Sequence, residues 1–401
     1  MRSRNWPGKF ALVCATISLH AIAQQPTLTP ASSLVPAIAL VDAADAPQWQ
    51  ALVKAAGWRV ITGGVPSGSA DSPDARVQTL AAAVAQATRD GVDPARVYLA
   101  GRGAATAAVF YTISRVPDLW AAAIGIDGSP QPAIDTDRLF AANFTKVPVL
   151  WIGRADADPG LAAKLQDAGL SLEFRPATGV NNQAVLDWLS HHHRDSFPTE
   201  IDCETNAPVF ASCYWIQMSK FDPEERNDML ATTRIAAAAS ASLNLGTFSF
   251  KPDEPGPGLL VNGLPDRYNG PLKAGDRIVA LEGRPVENAR AYLDAMAKYT
   301  EERPIVATVQ RGKERIRIET RVVLPRKDAM VTARVQAKYL PADRELQIVT
   351  RTVQEMRVTI PPQWAAETRL YWNGLALEKI EGPGCYVLSE ESELLHATRC
   401  P

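Results

Sequence analysis

Between residues 35 and 195 the chain alternates short apolar runs with longer stretches whose apolar positions recur every three or four residues. Residues 36–41 (PAIALV) read as a buried strand, and residues 46–56, around Trp49 and Leu52, as a helix. Residues 58–62 predict a second strand, and residues 74–90 a long alanine-rich helix stopped by Gly91. Strands at 96–100, 120–126, 147–152 and 170–174 follow, with a helix at 104–115 and two more after it. Strand and helix at this interval predict a parallel sheet covered by helices on both faces, an α/β domain.

The period then changes. Residues 199–230, with the cysteine-bounded stretch 203–215 and the charged run 222–226, read as a connector or accessory strand. Residues 233–325 predict a β-rich segment with one helix. Residues 326–401 alternate with period two, as at 344–349, the pattern of antiparallel sheets with one wet face. Asn373-Gly374 directly after Tyr371-Trp372 marks a tight hairpin. The expected boundaries are 1–23, 24–34, 35–195, 196–232, 233–325 and 326–401.

The first 23 residues have the three parts of a secretory signal. Arg2, Arg4 and Lys9 give a positive start, residues 10–21 an apolar run, and Ala21-Ile22-Ala23 a cleavage pattern. That run falls short of the roughly 20 residues a bilayer span needs, and no later stretch reaches it. A mature chain from residue 24, periplasmic or secreted, is the expectation. The signal holds three of the 42 basic side chains, leaving 39 against 44 acidic ones, a formal charge of −5. This balance offers no clustered basic face for nucleic acid.

Export bears on the cysteines. Outside the signal stand Cys203, Cys213, Cys385 and Cys400, which allow three pairings. Loop closure favours the two local pairs, Cys203 with Cys213 and Cys385 with Cys400. Neither has the CxxC spacing of a zinc site, and no metal or cofactor is expected.

The segment from Val97 to Ala105, VYLAGRGAA, resembles the nucleophile elbow of the α/β-hydrolases, particularly small esterases. In that family the apex of G-x-S-x-G carries the attacking serine. Here the apex reads Gly103, or Arg102 if the frame shifts by one, and neither can attack a carbonyl. Gly153-Arg154-Ala155-Asp156 is similar to the family's G-x-x-D, which puts Asp156 at the acid position. The loop that would carry the base, residues 178–182, has no His, and residues 41–45 lack the oxyanion His-Gly. The resemblance thus implies a hydrolase-like scaffold with a vestigial elbow (Gly101, Arg102, Gly103), a vestigial acid and no catalytic residues. His191, His192 and His193 point about 100° apart if helical and read as a helix cap. Gly101-Arg102-Gly103 lacks the remaining features of a dinucleotide or phosphate loop.

In the second half, residues 243–250 (LNLGTFSF) look like the carboxylate-binding loop and following strand of a PDZ domain. Residues 270–278 (GPLKAGDRI) and 280–286 (ALEGRPV) continue the likeness to bacterial periplasmic PDZ domains, with Gly275-Asp276 as its structural core. This resemblance implies a groove that accepts an extended peptide as an added strand and captures its carboxylate on loop amides. It would place Leu245, Gly246, Thr247 and Phe248 on one side. Tyr292, Ala295, Met296 and Tyr299 are the helix-side candidates, with Tyr292 and Met296 foremost. Residues 253–258 could cover that groove. The expected function is an exported, non-catalytic protein engaging peptides or envelope proteins. Two alternatives stay open: an active serine esterase or peptidase-like hydrolase with a displaced site, and a structural assembly protein with a filled groove.

Overall fold

The structure, a computed structural model, describes residues 34–63, 72–178, 181–221, 229–235, 241–251, 253–324, 330–391 and 394–401. The signal-like segment and the charged run 222–226 lie outside the described residues, as do residues 179 and 180 of the loop lacking a His.

Six strands form the first sheet: β1 (Val35–Leu40), β2 (Arg59–Thr62), β3 (Val92–Arg102), β4 (Ala122–Ile126), β5 (Val149–Gly153) and β6 (Leu172–Pro176). They pair in the order β2-β1-β3-β4-β5-β6, all parallel. Helices α1 (Ala46–Val53), α2 (Pro73–Arg89), α3 (Ala105–Arg115), α4 (Gln131–Ile134), α5 (Pro159–Asp167) and α6 (Asn182–Ser190) fill the connections. Ala37 and Ala39 pack on one face with Val77, Leu80 and Phe110. Ile38 and Leu40 pack on the other with Trp49, Val185 and Leu189. Both faces are therefore dry, which is why these strands read as unbroken apolar runs. Strand order reverses between β1 and β3. Open α/β sheets bind ligands in the crevice at the carboxyl ends of such strands.

Residues 199–230, expected as a connector or accessory strand, supply three strands, β7 (Glu200–Thr205), β8 (Ser212–Cys213) and β9 (Ile216–Phe221). A separate antiparallel module follows: β10 (Ser242–Leu243), β11 (Leu259–Leu260), β12 (Arg277–Leu281), β13 (Arg284–Pro285), α7 (Ala289–Met296), β14 (Pro304–Arg311) and β15 (Glu314–Val323). Its sheet runs β10-β15-β14-β12-β11, with β13 on β12. It closes on its own core of Leu245, Leu259, Val261, Ile278, Met296, Val309 and Val322. Gly275, at φ +88°, makes the turn into β12. Asp276, 1 % exposed, there accepts the Lys273 N–H at 2.7 Å and a two-pronged pair from Arg311 at 2.9 and 2.7 Å.

The chain then returns to β16 (Ala333–Leu340), β17 (Glu345–Arg351), β18 (Val353–Ile360), β19 (Glu367–Trp372), β20 (Leu375–Glu381), β21 (Gly384–Glu391) and β22 (Leu394–Arg399). Two five-stranded sheets result, β20-β19-β17-β16-β7 and β22-β21-β18-β9-β8. The early strands thus complete the late ones: Cys203 lies opposite Val335, and Met218 opposite Met356. Trp215, Trp364, Tyr339 and Trp372 share the core of these strands. Asn373 and Gly374, both at positive φ, turn β19 into β20 as the sequence predicts. Disulfides join Cys203 to Cys213 and Cys385 to Cys400.

Glu204, 1 % exposed, marks the base of the inserted module. One carboxylate oxygen accepts the hydroxyls of Thr232 and Thr332, both at 2.6 Å. The other accepts the N–H and hydroxyl of Thr233, at 2.6 and 2.7 Å. Four donors on one buried carboxylate offset the cost of taking its charge out of water.

Candidate functional site

The turn from β3 into α3 has the backbone of a tight elbow. Gly103 sits at φ +53°, its N–H donating to the Ile126 carbonyl at 2.8 Å and its carbonyl accepting the Thr106 N–H at 3.1 Å. Close approach demands small residues around it. A Cβ on Gly101 would stand 2.8 Å from the Ala105 carbonyl oxygen, and one on Gly128 only 1.8 Å from that of Gly103. Nothing lies within 4 Å of where a Cβ on Gly103 would project. The apex has room for a side chain and carries none.

The groups around the apex bind one another. The Arg102 N–H donates to Asp45 Oδ2 at 3.1 Å, and its guanidinium lies 3.7 Å from Asp127. Burial pushes the Asp45 carboxyl up, and the Arg102 N–H partly offsets this. Asp156, at the expected acid position, is exposed in the turn after β5. The buried carboxylate there is Asp158, which accepts the Arg154 N–H at 2.6 Å. The histidine run caps the end of α6. His192 Nδ1 lies 2.8 Å from the Trp188 carbonyl oxygen, and its ring lies tilted against that of Trp188, centroids 4.3 Å apart. The next residues pin this run to the start of β3, since the Arg194 N–H donates to the Ala95 carbonyl at 2.9 Å. His396 lies on β22. Among the described residues, no three His, Cys, Asp or Glu side chains group as metal ligands. An apolar cavity of about 230 Å³ between α2, α3 and α4 reaches Ala104 and Val41 at the carboxyl edge.

A second concavity, of about 510 Å³, opens in the module between residues 246–250 and α7. Gly246, Thr247, Phe248, Tyr292 and Met296 all line it. Leu243, Phe250, Leu293 and Val323 also contribute, though the sequence did not single them out. Phe250 repeats Phe248 at a spacing of two, a signal that was available. Leu245 belongs elsewhere: its side chain is 1 % exposed within the module's core. Tyr299 faces away and donates to Glu282, and Ala295 lines a different hollow with it. Burial raises the Tyr292 phenol's pKa.

Part of the backbone beside this groove has no partner among the described residues. Ser249 exchanges hydrogen bonds with the neighbouring strand, donating to the Gly263 carbonyl at 2.9 Å and accepting from Asn262 at 2.8 Å. Backbone groups alternate along an extended chain, so those of Phe248 and Phe250 face the opposite way. Among the described residues the N–H groups of Gly246, Thr247, Phe248 and Phe250 have no partner. Residues 253–258, expected to cover the groove, do not line it. Arg277 holds the Pro255 and Pro257 carbonyls at 3.1 and 3.0 Å, and Gly258 donates to Glu287 at 3.0 Å.

No family model matches the chain, and no curated protein matches it. Among solved structures, Arabidopsis thaliana SOBER1 aligns at 16 % identity, over 39 % of this chain and 96 % of its own, with a TM-score of 0.28. Esterase PE8 aligns at 15 % identity over 40 % and 92 %, TM-score 0.28. Esterase Est22 aligns at 12 % over 40 % and 72 %, TM-score 0.32. Likeness at this level says nothing of activity.

Proposed function

We propose that this is an exported, non-catalytic protein whose 241–324 module, of PDZ type, takes an extended peptide. The peptide adds as a strand beside Phe248 and Phe250, and its terminal carboxylate meets the amides of Gly246 and Thr247. The observation that carries this reading is the set of N–H groups at Gly246, Thr247, Phe248 and Phe250 without partners among the described residues, beside the apolar cavity against α7. An open edge supplies affinity through the main chain, and the adjoining pocket selects side chains. Phe248, Phe250, Leu293 and Met296 favour an apolar residue there.

In this reading the α/β domain is a hydrolase-like scaffold without acyl chemistry. Support comes from the empty apex at Gly103 and from the histidines' position beside the middle of β3. Selection from a library of random heptapeptides with free carboxyl termini, followed by fluorescence polarisation on the purified chain, tests the groove. Micromolar binding is expected. Retention of no peptide sinks this reading and favours an assembly role. Labelling by a serine-directed fluorophosphonate would instead revive the hydrolase.

A further inference from the structure

The loop that borders the groove rests on a tyrosine that the sequence places in an ordinary polar turn. The Tyr268 hydroxyl donates to the Leu245 carbonyl and accepts the Leu272 N–H at 3.1 Å. A phenol carries one proton and acceptor lone pairs, so it satisfies a carbonyl and an amide at once. Two glycines admit it. A Cβ on Gly246 would stand 2.7 Å from the Tyr268 ring, and one on Gly270 would stand 2.2 Å from its hydroxyl.

The consequence for the groove follows from peptide geometry. The Leu245 carbonyl and the Gly246 N–H belong to one planar trans unit and point in opposite directions. Fixing the carbonyl on Tyr268 therefore aims the Gly246 N–H away from the ring. Gly246 lines the cavity, and its N–H has no partner among the described residues. Gly246, at φ +78°, holds a conformation that side-chain-bearing residues rarely adopt, so the unit turns at little cost.

We propose that Tyr268 is a positioning residue for the carboxylate end of the groove: by tethering the Leu245 carbonyl it directs the Gly246 amide at the terminus of a bound chain. This rests on the groove reading above. Tyr268→Phe keeps the ring and removes the hydroxyl, and with it both the tether and the acceptor of the Leu272 N–H.

The test uses the full chain and one probe in two forms: the tightest heptapeptide from the selection, with a free carboxyl terminus and as its C-terminal amide. Tyr268→Phe is expected to weaken the free-carboxylate form about tenfold and the amide less than twofold. Equal losses for both forms would reduce Tyr268 to a merely structural part, and no loss for either would overturn the proposal. A ligand-free measurement separates the two readings. The ¹⁵N order parameter of the Gly246 amide should fall in Tyr268→Phe, with those of β14 and β15 unchanged. A fall together with no peptide binding to the wild type retains the tether and rejects the groove. An unchanged order parameter rejects the tether.

Discussion

The Tyr98 hydroxyl donates to the His192 carbonyl at 3.1 Å, which fastens the histidine run beside the middle of β3. Gly103 lies beyond the other end of that strand. From Tyr98 to Gly103 is five residues, about 16 Å of extended chain at roughly 3.3 Å per residue. Among the described residues no hydrogen bond joins an imidazole of this run to the elbow; the rings of His191 and His192 meet the carbonyls of Asp187 and Trp188 instead.

Gly103→Ser should therefore restore the shape of a nucleophile elbow without its chemistry. The site has space for the hydroxymethyl group, but φ +53° costs a non-glycine residue about 1–2 kcal/mol. Hydrolysis of p-nitrophenyl acetate should stay at background in wild type and variant alike, with a slightly lower Tm. Ester turnover by the variant well above wild type would mean a base has been overlooked.

Gly246→Ala meets two obstacles at once, the positive φ and the Tyr268 ring. The expected cost is about 1–3 kcal/mol of module stability. Peptide affinity should fall at least tenfold, read by fluorescence polarisation, because the ring that anchors Leu245 is displaced. Full affinity in this variant would show that the loop's conformation does not matter to the ligand.

The Asp276–Arg311 pair should give the module an acid limit. Burial alone raises the Asp276 pKa, but the Arg311 side chain and the Lys273 N–H outweigh it and hold the carboxyl below its usual range. A carboxyl depressed in the folded state stabilises above its unfolded pKa, near about 4, and loses that contribution as pH falls through the folded value. Calorimetric Tm should decline below about pH 4. Asp276→Asn should flatten that decline and lower Tm at neutral pH, since it removes the carboxylate that pairs with Arg311. An unchanged acid slope in the variant would assign the loss to other carboxylates.

Glu204 permits a graded comparison. Glu204→Ala strands three threonine hydroxyls and one N–H, with an expected loss of about 3 kcal/mol or more. Glu204→Gln keeps one accepting oxygen, and hydroxyls can reverse their role, so roughly half that loss is expected. Denaturant midpoints measure both. Equal midpoints for wild type and Glu204→Ala would show the cluster to be energetically idle.

The parallel sheet was legible because each strand and helix announces itself within a dozen residues. Residues 200–221 were not. The partner of Cys203 is Val335 and that of Met218 is Met356, more than a hundred residues on, and no local pattern reveals such pairing. Motif spacing pointed to Asp156, yet the fold buries Asp158, because Pro159 starts α5 there and turns that carboxylate back on the Arg154 N–H. At the groove, Gly246 to Phe248, Tyr292 and Met296 line one concavity. Leu245 does not, because its side chain turns into the module's core while its carbonyl accepts the Tyr268 hydroxyl. Tyr268 itself stands among Pro265, Asp266, Asn269 and Gly270, a composition indistinguishable from a solvated turn.

Thr232 and Thr332 share a single oxygen atom although a hundred positions separate them in the chain. The polypeptide between them behaves as a cassette plugged into one socket. The pairing of β9 with β18 and of β16 with β7 lies wholly outside it, so those strands keep their partners whatever length of chain the cassette holds.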